Sequence, residues 1–270
     1  ERTILAHGMP SYDAAIVGDT VYMANEHHLF TGTGPGYHFQ DSRAFWGLEA
    51  VGVADRADPL WLGGLPTLWY AHSVAKAGDI VFVAAGGAGL QVLDVSTPAA
   101  PQQLPPRLRV GQFTDVSVAH DHAYVASQWM GKVLAYDISD PRAPDLVAER
   151  PFSGRSPHSI AVEGRNAVVV LTESDGELYA YDLSDPADPQ LVGSVGYPST
   201  SHPQVAVQNG LAYVVGRLPG NASRLDLVDF RDPAAPAQQR QENHERYQHQ
   251  YNQAGDGGLA VAACLWMQQV

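Results

Sequence analysis

One cysteine, Cys264, stands in 270 residues, so no internal disulfide can brace the fold. Charged side chains are scarce at 17%, no Lys or Arg run occurs, and the net charge is −13. Such a chain repels nucleic acid and anionic membrane surfaces, and neither is expected as a partner. No apolar run approaches the roughly 20 residues that span a bilayer, so membrane insertion is not expected. Several local chemical motifs are missing too. There is no Gly-x-Ser-x-Gly elbow and no His-Glu-x-x-His pair, and Cys264 has no evident basic partner. Thr33-Gly34-Pro35-Gly36 lacks the Gly-Lys-Ser/Thr ending of a phosphate loop. What the chain does hold is 26 Gly, 19 Pro and a 45% hydrophobic share, a mixture that favours many turns over long helices.

Laid against itself, the sequence repeats. Leu90-Gln91-Val92-Leu93-Asp94-Val95-Ser96-Thr97-Pro98-Ala99-Ala100-Pro101 recurs as Ala135-Tyr136-Asp137-Ile138-Ser139-Asp140-Pro141-Arg142-Ala143-Pro144 and again around Asp182-Leu183-Ser184-Asp185-Pro186 and Asp229-Phe230-Arg231-Asp232-Pro233. A weaker copy runs from Gly47 to Pro59. The anchors at 52, 94, 137, 182 and 229 lie 42, 43, 45 and 47 residues apart. Each copy reads as strand, turn, strand. Apolar alternation makes the strand, and Asp-Pro-x-x-Pro stops it, because Pro cannot donate to a ladder and Asp binds local backbone. Two more strands precede each anchor, giving four per unit, a to d from the inside outwards.

These repeats resemble the LVIVD-repeat family, whose units carry a Val-x-Asp-Val-Ser-Asp-Pro-x-x-Pro-x-Leu-Val-Gly signature. The resemblance implies an all-β fold, a single β-propeller over residues 1–270. Counting units gives six four-stranded blades near 11–64, 72–109, 114–150, 158–196, 202–242 and 248–270 with 1–8. A seventh would need residues outside this sequence. The last unit stops inside strand c, and Ile4-Leu5-Ala6-His7-Gly8 matches Leu191-Val192-Gly193-Ser194-Val195. The N-terminal strand is therefore expected to complete the last blade and remove two open sheet edges.

In a propeller the starts of strands a and the b–c loops share one channel mouth. The a-strand starts are Tyr12, His72, Thr114, His158, His202 and His249. Four imidazoles on a pseudo-symmetry axis suit a transition metal such as iron, copper or zinc, which makes His72, His158, His202 and His249 the expected ligands. Histidines that hydrogen-bond backbone of a neighbouring blade and only stiffen the ring are the competing reading. The b–c loops add Glu26, His27, His28, Glu173, Arg217, Trp129 and Trp266. Glu26, Glu173 and Tyr12 are candidate acid–base groups. His27, His28, His38, Trp129, Arg217 and Trp266 are candidates for holding a small-molecule substrate. The first b–c loop, about 25–45, is far longer than its equivalents and reads as a lid over the mouth or an oligomer contact.

Three functions follow. The first is a metal-dependent enzyme acting on a small molecule, an oxygenase or oxidase with redox metal or a Lewis-acid lyase. Its architecture resembles propeller enzymes whose axial histidines hold zinc or non-haem iron. The second is a non-catalytic extracytoplasmic binding or scaffold propeller with structural histidines. The third is a metal-free lyase or isomerase using His and Glu. A first residue Glu1 and the family's tendency to export give a secreted or periplasmic expectation.

Overall fold

A computed structural model describes residues 11–25, 47–67, 69–105, 111–152, 156–164, 167–172, 176–197, 201–217 and 223–244. Among them every regular element is a strand, and the strands form five four-stranded antiparallel sheets. Blade one holds β1 (Ser11–Val17), β2 (Thr20–Asn25), β3 (Gly47–Gly52) and β4 (Leu60–Pro66). Blade two holds β5 (Ser73–Ala77), β6 (Ile80–Ala84), β7 (Leu90–Asp94) and the short β8 (Gln102–Gln103). Blade three holds β9 (Phe113–Ala119), β10 (His122–Ser127), β11 (Lys132–Asp137) and β12 (Asp145–Pro151). Blade four holds β13 (Pro157–Glu163), β14 (Ala167–Thr172), β15 (Glu177–Asp182) and β16 (Gln190–Gly196). Blade five holds β17 (Ser201–Gln208), β18 (Leu211–Arg217), β19 (Ser223–Asp229) and β20 (Ala237–His244). Strands β1, β5, β9, β13 and β17 lie side by side in that order as the innermost strands. The sixth blade expected from 248–270 with 1–8 lies outside the described residues.

The repeated Asp residues shape the c–d corners. Asp94, Asp137 and Asp182 each accept the backbone N–H two residues on, from Ser96, Ser139 and Ser184, at 2.8–2.9 Å. Asp229 accepts from Arg231 N–H in the same way. This local turn replaces the ladder where Pro cannot donate. The a–b hairpins need a left-handed residue. Gly18 supplies it in blade one at φ 57°, whereas His120 and Asn209 take it at φ 52° and 54°. His120 is thus a turn residue on the face opposite the mouth.

The core lies between blades, because each strand turns alternate residues to its two neighbours. Tyr22, Ala24, Leu48 and Ala50 of blade one pack on Val74, Val81, Val83 and Leu93 of blade two. Phe82 and Leu90 meet Phe113, Val125, Leu134 and Tyr136. Tyr124 and Ala135 meet Tyr179 and Tyr181, and Leu178 meets Val214 and Phe230. Outside this core, each c–d corner rests on the preceding blade's strand d. A Cβ at Gly63 would stand 2.7 Å from the Ala99 carbonyl oxygen, and one at Gly193 would overlap the Pro233 carbonyl. The equivalent register position in blade three is Ala148, paired with Ala135 as Gly63 is with Ala50 and Gly193 with Ala180. Strand d thus keeps a small residue at this register position in blades one, three and four, whereas in blade two the ladder ends at Gln103 before reaching it.

Candidate functional site

The residue after the a-strand start carries a hydrogen-bonded seam along the innermost strands of the described blades. In blade one Asp13 Oδ2 accepts from Ser73 Oγ at 2.8 Å and Val74 N at 2.9 Å, while Oδ1 accepts from Ala14 N at 2.8 Å. Ser73 Oγ in turn accepts from Val116 N at 3.2 Å. Asp115 Oδ2 accepts from Ser159 Oγ at 2.6 Å and Ile160 N at 2.8 Å, and its Oδ1 from Val116 N at 2.8 Å. Ser159 Oγ then accepts from Val205 N at 3.1 Å. Asp, Ser, Asp and Ser thus link five blades in succession. Innermost strands of neighbouring blades share no β ladder, so these side chains take over the pairing that their backbone amides require. In blade five the position is Pro203, whose side chain has no polar atom to continue the chain.

Burial raises both carboxyls. Asp13 is pushed up to about 7, chiefly by loss of water and then by the Asp115 charge, against the lowering pull of its hydrogen bonds. Asp115 is raised, again chiefly by burial. Both border a cavity of about 390 Å³ walled by strand-a residues of the five described blades, with Tyr213 and Val215 of β18. The wall is mostly Ala, Val and Ile, so the channel offers few polar groups besides this pair, Lys76, Ser117 and Gln204.

Among the described residues no group of three His, Cys, Asp or Glu side chains is placed to hold an ion, and of the four expected ligands only His72 and His158 have described side chains. His72 and His158 start strands a of blades two and four, with blade three between them. Nε2 of His72 and Nδ1 of His158 are buried. His72 is folded under the b–c turn of its own blade, with Nε2 3.3 Å from where a Gly86 Cβ would stand, and its ring lies edge-on to Tyr70 at 6.3 Å. Thr114, at the same repeat position, likewise turns back and donates to the Ala126 carbonyl of its own blade at 3.4 Å. This position faces the blade, because the pleat aims the following residue, Asp13 or Asp115, into the channel. His202 lies on β17 and Tyr12 on β1, with side chains outside the described set, as is that of Arg217 on β18. His249, Glu26, His27, His28, His38, Glu173 and Trp266 also lie outside the described residues.

Trp129 is placed. It sits in the b–c turn of blade three and is 74% exposed. Trp69, before β5, is 44% exposed and lies across Gly86 and Gly87 in the b–c turn of blade two, edge-on to Tyr70 at 6.0 Å. Gly86 has φ 46°, and a Cβ there would strike the indole, so only glycine leaves this seat for it. Gly86 bridges to Phe113, which neighbours Gly111, and Gly111 touches Met130 beside Trp129. The two indoles are therefore joined by a continuous rim of adjacent blades at the mouth. Sequence reasoning passed over Trp69 because it stands in a d–a connection. It passed over Asp13, Ser73, Asp115 and Ser159 because it read the column one residue earlier. The signal was a polar, hydrogen-bonding residue recurring inside otherwise apolar strands.

Comparison with known proteins places this geometry. The LVIVD repeat matches residues 70–103, 110–149 and 154–196, which are blades two, three and four. No curated protein matches the chain. A solved structure from Lactobacillus plantarum superposes with a TM-score of 0.66 at 13% identity, over 86% of this chain and 70% of that one. A candidate 6-phosphogluconolactonase from Bacteroides fragilis gives 0.64 at 13%, over 86% and 70%. The β-propeller domain of Myceliophteria thermophila Cps50 (Swd1) gives 0.54 at 14%, over 77% and 67%. At such identities the likeness is one of fold, a β-propeller, and a fold hosts many activities.

Proposed function

We propose that this LVIVD-repeat propeller is a binding module that takes a small molecule at the channel mouth, on Trp69 and Trp129 of blades two and three. The observation that carries this reading is the exposure of both indoles on one rim. An aromatic face offers broad apolar contact at little cost in side-chain freedom, worth about 0.5–1.5 kcal/mol beyond area burial. Catalysis by the channel carboxyls has less support. Asp13 and Asp115 already accept main-chain and serine donors with both oxygens. A metal held by His72 and His158 has less support, because each buries one ring nitrogen and no third ligand joins them among the described residues. The test is titration of the protein with a panel of sugars and aromatic metabolites, followed by tryptophan fluorescence. A ligand should emerge whose affinity falls about tenfold in Trp69→Ala and in Trp129→Ala, about 1.4 kcal/mol each. A ligand that binds both variants as tightly as the parent sinks the proposal.

The finer fold proposal is a six-bladed ring closed by residues 1–8. Its support is the docking rule of strand d. Ala6 aligns with Gly193, so the small residue recurs where the Asp55–Pro59 corner of blade one needs a seat. In blade five the same register position, opposite Leu227, is Arg240.

A further inference from the structure

The channel cavity is a second place for a ligand, below the mouth and separate from the indole rim. Its volume of about 390 Å³ falls within the range of small-molecule pockets, roughly 300–1,000 Å³. Asp13 and Asp115 line it towards the mouth, Asp13 half-buried and Asp115 buried. Oδ2 of each accepts a serine and an amide of the next blade. Oδ1 of each accepts the following amide of its own strand, which leaves acceptor capacity on that oxygen. The ion pairs among the described residues join other side chains, so no described cation answers either charge. Lys76 stands at the other end. It is three residues past Ser73, the partner of Asp13, and so about 10 Å deeper along β5. Lys76 lines the same cavity, is exposed, and pairs with no carboxylate among the described residues. Ser117, Gln204 and Tyr213 add neutral hydrogen-bonding groups to the wall. The cavity is therefore polarised, negative towards the mouth and positive at depth, between walls of Ala, Val and Ile.

We propose that this channel binds a small zwitterion, a free amino acid or its ω-amino homologue, with the ammonium on Asp13 and Asp115 and the carboxylate on Lys76. The chemistry of the two ends selects the class. A ligand with positive charge alone would answer the carboxylates and repel Lys76. A ligand with negative charge alone would meet the reverse fault. A metal ion finds no group of three ligands among the described residues. Between apolar walls a charge left without a partner is costly, so a ligand that answers both ends gains most. The flexible four-carbon stem of Lys76 covers part of the distance between the ends. The ligand's own charges then need lie only a few ångströms apart, as they do in an amino acid. Burial lifts both carboxyls above their ordinary range, the response of charges without a counterion, and a bound ammonium opposes it. The site is independent of any ligand on Trp69 and Trp129.

The test is calorimetric titration of the intact chain with glycine, β-alanine and γ-aminobutyrate, beside propylamine and propionate as probes of single charge. At least one zwitterion should bind at millimolar concentration or below, and both single-charge probes should bind about tenfold more weakly or not at all. Lys76→Met and Asp13→Asn should each weaken the zwitterion about tenfold. Lys132→Met, which removes a lysine outside the channel, should leave it unchanged. The proposal is overturned if no zwitterion binds, if propylamine or propionate binds as tightly, or if Lys76→Met binds like the parent. Lys76 is exposed, so its variant carries the test even if Asp13→Asn fails to fold.

Discussion

At the scale of single residues, the histidines and the carboxylates exchange roles. His72 and His158 look like ligands by repetition, but the strand pleat turns this position into the blade and sends the next residue to the channel. One nitrogen of each ring is buried. His72→Ala would leave a cavity beneath the Gly86 turn and free the Trp69 seat, costing about 1–3 kcal/mol in a urea melt. Metal should not enter into it. Protein purified without chelator should carry no stoichiometric iron, copper or zinc by elemental analysis. One equivalent of metal that disappears in His72→Ala/His158→Ala would contradict this placement. The buried pair of Arg224 with Asp226, at 2.6 and 2.7 Å and supported by Gln238, shows the same logic in blade five. There a buried charge on β19 is tolerated because a bidentate partner and an amide satisfy it.

At the scale of elements, the corner and the seat beneath it were unequally legible. The Asp-Pro-x-x-Pro corners could be read directly, since their turn chemistry is local and each Asp binds an amide two residues on. The seat could not, because Gly63 and Gly193 only acquire meaning when the next blade's backbone arrives. Glycines in strands read merely as weak spots until that contact is known. Gly193→Val should therefore cost about 1–3 kcal/mol by forcing strand β16 away from the Pro233 corner. Gly196→Ala, three residues on in open space, should stay within about 0.5 kcal/mol of the parent. Equal losses at the two sites, measured by denaturant unfolding, would remove the docking rule. The seam escaped for a related reason. Periodicity marks the inner strands as apolar, and a lone Asp in them reads as noise until its neighbour's serine is seen to donate to it.

At the scale of the molecule, sequence repetition made the propeller and its strand order legible, because each blade repeats the same four-strand pattern. It left the function open, since the mouth is assembled from turns that differ from blade to blade. Trp69 and Trp129 belong to different kinds of connection, and nothing in their local sequence couples them. The mouth exists only if the blades are held in a ring, and the ring depends on how its two ends meet. Closure by residues 1–8 predicts that Ala6 lies against Ala57, as Gly63 lies against Ala99 and Gly193 against Ala234. The most direct measurement is oxidative cross-linking of Ala6→Cys/Ala57→Cys in a Cys264→Ser background, with Ala6→Cys/Ala187→Cys as the control. A closed ring predicts a rapid intramolecular disulfide in the first pair and none in the second. Failure of the first pair to cross-link, or equal cross-linking of both, would contradict it.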